Sequence, residues 1–172
     1  CEDFLHRYRL TQEHFTSLKS RRFKLFIDLR MALECALKAY VVYFQMTDLP
    51  RKDIIDRVRC FRHNISRLNE LVSGSLPQKL LEDLRSVSRE LSSLDVGLRY
   101  DLDQMDFRYA KEDLYYQTVG SDAWLKSLHD VTTELNDLIS RTLQAHSKVV
   151  SVEDLMSDVL SPRYNKTLNR NL

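Results

Sequence analysis

The chain is predicted to be all-α, an up-and-down bundle of about five helices. Three observations predict it. Apolar residues recur at three-and-four spacing along most of the length, the mark of a helix with one buried face. Gly and Pro number only three each in 172 residues, too few for the many turns of a sandwich or barrel. Hydrophobic residues make up 43% and charged residues 30%, the balance of a globular domain long enough to bury a core without staples.

The elements follow in order. Phe4, Leu5, Tyr8, Phe15 and Leu18 predict a first helix. Phe23, Phe26, Ile27, Arg30, Leu33, Leu37, Tyr40, Val41 and Phe44 carry a second over about six turns, which Asp48-Leu49-Pro50 ends. One stripe through Ile54, Val58, Phe61, Ile65, Leu68 and Val72 predicts a single third helix, with Asp53 as its early-turn acid. Ser73-Gly74-Ser75-Leu76-Pro77 is a stop and restart, and Leu80, Leu81, Leu84, Val87, Leu91 and Leu94 mark a fourth helix ending near Gly97. Residues 98–120 are less regular, hold four of the eight tyrosines, and read as a long connection with a helical turn. Gly120-Ser121-Asp122 opens a last long helix, with Trp124, Leu128, Val131, Leu135, Leu138, Thr142, Ala145 and Val149 as its stripe. The expected domain is 1–150, with a short helix and a polar tail in 151–172.

Several function classes are disfavoured. A formal net charge of +1 provides no global attraction for nucleic acid, so any basic surface must be local. The three cysteines, Cys1, Cys35 and Cys60, show neither metal-ligand spacing nor a paired framework, which suits a reducing cytoplasm. No run reaches the length of an apolar membrane span, so no membrane partner is expected. Neither a Gly-rich phosphate loop nor a zinc signature occurs, so no cofactor and no metal is expected.

The residues that invite a role are polar groups beside apolar stripes. His63 sits between Phe61 and Ile65 in a segment carrying Arg57, Arg59, Arg62 and Arg67. It reads either as a group presented to an anion or ribose with guanidinium support, or as a half-buried His bonded to a carboxylate among solvated arginines. Glu34 and Lys38 have the favourable order for an i,i+4 pair; on a surface that pair is a minor device, and partly buried it points to a specific role. Arg99 beside Tyr100 offers a phosphate contact and a stacking ring, or else a plain helix-ending turn. Arg9 and His14, Arg57 and His63, and Arg141 and His146 each place an Arg shortly before a His, a pairing that can serve RNA cleavage. In a chain rich in arginine such pairs also arise by chance.

Three of these segments, in this order, resemble HEPN domains. Glu34-Cys35-Ala36-Leu37-Lys38-Ala39 is similar to that family's second-helix Glu-x-x-Leu-Lys-Ala. Phe61-Arg62-His63-Asn64-Ile65-Ser66-Arg67-Leu68 is similar to its third-helix Gly-His-Asp/Asn-Leu-x-x-Leu, and Leu98-Arg99-Tyr100-Asp101 to its Leu-Arg-Tyr-Pro. Arg62 stands where the pattern has Gly, and Asp101 where it has Pro. The resemblance implies a bundle of about five helices, commonly a homodimer. Some members look like metal-independent ribonucleases of toxin–antitoxin or defence type, with Arg followed after four to six residues by His. Arg141 and His146 match that gap, although Thr142 replaces the usual polar Asn. Others lack the nuclease motif and accompany nucleotidyltransferases, and His63 with Arg99-Tyr100 looks more like these. The implied function is therefore a domain without its own catalysis that binds a nucleotide, RNA or a partner protein. The alternatives are the ribonuclease and a purely structural interaction module. Lys38, His63, Asn64, Arg99 and Tyr100 are expected to converge on one polar pocket.

Overall fold

The computed structural model of the chain describes residues 1–14, 21–46, 48–94, 98 and 107–146; of Gln45, Arg51, Ala145 and His146 it describes the backbone. Every regular element among them is helical. In order these are α1 (Glu2–His14), α2 (Arg21–Gln45), α3 (Arg51–Cys60), α4 (Ile65–Val72), α5 (Gln78–Leu91), α6 (Glu112–Gln117) and α7 (Asp122–His146). A further helical turn covers 107–110. The expected boundary at 150 and the short helix in 151–172 lie outside the described residues. The chain divides into two compact units, Cys1–Ile139 and Ser140–Leu172, so the last turns of α7 belong to the second. None of the described helices is long and apolar enough to cross a membrane.

The axis of the first unit is α2. Phe23, Leu25, Phe26, Leu29, Ala32, Leu33, Ala36, Leu37, Tyr40 and Val41 are all buried. They cover nearly every direction around the helix, as befits an element surrounded by others. Helices α1, α3 and α4 pack on α2, and α5 packs on α4. Phe26 of α2 meets Trp124 of α7 at 6.1 Å between ring centres, and Tyr8 of α1 stacks on His129 of α7 at 5.1 Å. Leu125, Leu128, Val131, Leu135 and Ile139 carry α7 into the same core. Between α6 and α7, Gly120 is required by proximity: a Cβ there would meet the Tyr115 ring and carbonyl oxygen at 2.9 Å.

The expected single third helix is two. Its stripe of Ile54, Val58, Phe61, Ile65, Leu68 and Val72 is apolar throughout, yet α3 stops at Cys60 and α4 starts at Ile65. The reason is local. Asn64 Oδ1 accepts from the Arg67 backbone N–H at 2.9 Å, capping α4. Arg62, two residues earlier, takes a left-handed φ of 47°, which a continuous right-handed helix excludes. Phe61 and Ile65 are buried on either side of the break and keep the stripe in register.

Three charged side chains of α2 are buried and each is accommodated differently. Arg30 Nη1 donates to the carbonyl oxygens of Leu91 (3.2 Å) and Leu94 (2.8 Å). It thereby caps the end of α5, where carbonyls have no partner within the helix and the dipole favours a cation. Glu34 is paired twice, as described below. Asp28, only 3% exposed, has the weakest arrangement. Its Oδ1 lies 3.0 Å from Nη2 of the mostly exposed Arg7 but off hydrogen-bonding geometry, so it is buried without a hydrogen bond. Burial pushes the Asp28 carboxyl above its ordinary value, against the pull of Arg7 and Lys24.

Two predictions follow from this packing. Leu37 and Leu68 are fully buried, so Leu37→Ala or Leu68→Ala is expected to cost about 2–5 kcal/mol in urea unfolding; a loss under about 0.5 kcal/mol would place the residue on the surface. For Asp28, the folded state holds the proton at higher pH than the unfolded chain does. Stability from this group therefore falls as pH rises from the ordinary carboxylate value through the raised one, and at neutral pH the ionised group is a net cost. Asp28→Asn is expected to raise Tm at about pH 7, with the gain shrinking towards about pH 4. Thermal melts showing Asp28→Asn equally destabilised at both would refute this account.

Candidate functional site

The polar corner between α2 and the α3–α4 turn is built on Glu34. Its carboxylate is 2% exposed. Taking it out of water is costly unless both oxygens are paired and hydrogen-bonded. Both are. Lys38 Nζ, one turn along α2, donates to Oε1 at 2.6 Å, and His63 Nδ1, from the turn, contacts Oε2 at 2.9 Å. Lys38 Nζ also donates to the carbonyl oxygen of Arg62 at 2.7 Å. Glu34 and Lys38 thus hold the turn to α2 through one side chain and one backbone group. The conformation they hold is the left-handed one at Arg62, at the position where the family pattern quoted above has Gly.

This arrangement sets the chemistry of His63. An ionised carboxylate only accepts, so Nδ1 donates to it. In the neutral ring that leaves the lone pair on Nε2, with the ring orientation fixed by a carboxylate behind it. The side chain is 46% exposed, so it is presented to solvent rather than sealed. It is also the carboxylate-bonded, half-buried histidine that was one of the two readings of the sequence.

The arginines around it are exposed. Arg67 lies over the Phe61 ring, 5.6 Å from its centre, which gives its guanidinium a preferred seat. Arg59 pairs with Asp56 at 3.8 Å across the surface of α3, a contact of little energy. Arg57 and Arg62 have no side-chain partner among the described residues. The segment 51–67 carries six Lys or Arg against two Asp, an excess of four positive charges in a chain whose net charge is +1. Helix α3 supplies much of this charge, and none of its described side chains is fully buried. It is a charged helix resting on Ile54 and Val58, which are partly buried against the core.

Of the five residues expected to converge, Lys38 and His63 meet on Glu34. Asn64 is adjacent in sequence, but its carboxamide caps α4. Arg99 and Tyr100 lie outside the described residues. Arg141 and His146 fall on the last turns of α7 in the second unit; Arg141 is exposed, and the His146 side chain lies outside the description. Among the described residues no group of three His, Cys, Asp or Glu is placed to hold a metal ion. Two features were missed by sequence reasoning. The helix break had a signal, Asn64 four residues before Leu68, which the continuous apolar stripe outweighed. The pairing of Glu34 with His63 joins residues 29 apart and had none.

No family model matches the chain, and neither a curated protein nor a solved structure matches it.

The left-handed Arg62 yields a test of the corner. An L-residue there costs about 1–2 kcal/mol, of which glycine's unfolded-state entropy returns about 0.5–1. Arg62→Gly is therefore expected to stabilise the protein by about 0.5–1 kcal/mol, seen as a higher urea midpoint at unchanged m. Destabilisation would show that the Arg62 side chain, not its backbone, supports the turn.

Proposed function

We propose that this chain is a HEPN-like helical binding domain that holds a phosphate-bearing ligand, a nucleotide or an RNA strand, at the α3–α4 corner, without catalysis of its own. The observation that carries this reading is the His63 imidazole, fixed from behind by buried Glu34 and left open at Nε2 among four exposed guanidiniums. A buried ion pair is a poor stability device, since apolar packing of the same volume does as well or better. Retaining one here suits a role in presenting the imidazole. The surrounding guanidiniums are suited to phosphate oxygens, which they meet with two parallel hydrogen bonds. The local excess of charge supplies the attraction that the whole chain lacks. The resemblance to HEPN domains adds a second copy of the chain and a nucleotidyltransferase-type protein as contact partners, and the up-and-down arrangement of about five helices belongs to the same reading.

Fluorescence anisotropy with a labelled single-stranded RNA, and calorimetry with ATP, test it. At least one is expected to bind, with affinity falling as salt rises. For RNA, Arg57→Ala and Arg62→Ala should each flatten the plot of log affinity against log salt by about 0.7, one released counterion per phosphate contact. His63→Ala should weaken binding by about tenfold or more with the slope little changed, as for a lost charge-assisted or neutral hydrogen bond. Binding indifferent to all three substitutions would remove the site. RNA cleavage abolished by Arg141→Ala would make the chain the ribonuclease instead.

A further inference from the structure

The tautomer of His63 decides what its open nitrogen can meet. Nδ1 lies 2.9 Å from Glu34 Oε2. An ionised carboxylate accepts and does not donate, so Nδ1 carries the hydrogen and the neutral ring offers a lone pair at Nε2. The side chain is 46% exposed, so a solute can reach that lone pair.

The rest of the corner offers donors. Arg57, Arg59, Arg62 and Arg67 are exposed, and a guanidinium donates only, as does the Lys38 ammonium. The acceptors of the turn are already used. The Phe61 carbonyl receives the Asn64 N–H at 3.0 Å, the His63 carbonyl the Ile65 N–H at 3.1 Å, and the Asn64 carbonyl the Leu68 N–H at 3.2 Å. The Arg62 carbonyl receives Lys38 Nζ, and Asn64 Oδ1 the Arg67 N–H. Both Glu34 oxygens are paired. Among the described groups of residues 61–64, Nε2 is therefore the acceptor that no protein donor uses. This separates two kinds of ligand group. A phosphodiester oxygen has no hydrogen to give; it matches the guanidiniums and mismatches a lone pair. A hydroxyl has one. In a ribonucleotide the 2′-hydroxyl sits on the carbon next to the one bearing the 3′-oxygen, close to the backbone phosphate. A deoxyribonucleotide keeps the phosphates and lacks that donor.

We propose that His63 Nε2 accepts a hydrogen bond from a ribose 2′-hydroxyl, and that the corner thereby takes ribonucleotides in preference to deoxyribonucleotides. This rests on the reading of the corner as a site for a phosphate-bearing ligand and adds the group that discriminates between such ligands. The guanidiniums supply attraction to phosphate, which both sugars carry alike. Glu34 is a positioning residue: it is buried away from the ligand and keeps the hydrogen on Nδ1, so that Nε2 stays an acceptor.

Matched ligands on the full native chain test it: ATP against 2′-deoxy-ATP by calorimetry, and oligouridine against oligodeoxyuridine and 2′-fluoro-oligouridine of one length by anisotropy. Fluorine keeps the ribose pucker and removes the donor. The ribo form is expected to bind about threefold to tenfold more tightly than each analogue, the effect of one net hydrogen bond. His63→Ala should bind all forms alike, whereas Arg57→Ala should weaken all of them in the same ratio and leave the preference intact. NMR of the ring nitrogens needs no substitution and serves where His63→Ala unfolds the chain. In the free protein it should show the hydrogen on Nδ1 and a bare Nε2; a hydrogen on Nε2 would overturn the proposal. Ribo and deoxy forms bound alike, with affinity still falling as salt rises and in Arg57→Ala, would overturn it and leave the phosphate site standing. A ribo preference that survives His63→Ala would also overturn it. Absence of binding by every form would remove the phosphate site and this proposal with it.

Discussion

The corner of this protein that invites a function depends on one buried carboxylate. Glu34 sits on the most deeply buried helix, where an unpaired charge is not tolerated, and it acquires two partners from different directions. One is local, Lys38 a turn away. The other is remote, His63 on the turn between α3 and α4. Meeting both requires the chain to leave its helical path before His63, and the left-handed Arg62 is where it does so. The helix break, capped by Asn64, brings the Arg62 carbonyl to Lys38 and the imidazole to Glu34, and the carboxylate fixes the ring's orientation.

The same helix shows how differently a fold can accommodate charge. Arg30 is spent on the carbonyls at the end of α5 and so joins two helices through backbone groups that need a donor anyway. Glu34 is spent on a lysine, a histidine and, through the lysine, a carbonyl. Asp28 has only an exposed arginine at an unfavourable angle. The first two arrangements connect elements and define geometry. The third contributes nothing comparable to stability, and it occurs where α1 covers α2.

Two polar regions lie along α2, and they differ in kind. The α3–α4 corner is exposed and cationic, and the ligand proposed for it carries its charge along a strand or over several phosphates. The α1–α2–α7 cleft is concave and lined by both signs of charge, with Arg22 beside Asp122 and Lys126 paired with Asp130. Between them α2 buries Leu29, Ala32 and Leu33 together with the charged Asp28 and Arg30.

The sequence by itself determined the fold class and most of the helices, because those depend on local quantities. The scarcity of Gly and Pro and the three-and-four stripes act within a few turns, and the structure follows them in α2 and α5, while α7 buries Leu125 and Ile139 with Leu128, Val131 and Leu135 and leaves Trp124 and Leu138 partly buried. It also determined that Glu34, Lys38 and His63 stand beside apolar neighbours and need partners. Tertiary structure decided which partners. A stripe such as Ile54 to Val72 is equally satisfied by one helix or by two in register, and only the pull of Lys38 on Arg62 and the capping by Asn64 select two. Whether Glu34 meets Lys38 alone or His63 as well depends on residues 29 apart, whose approach no spacing encodes. The cleft between α1, α2 and α7 is further still from the sequence, since Tyr8, Arg22 and Lys126 come from three helices and each looks like an ordinary surface or core residue until the packing brings them together.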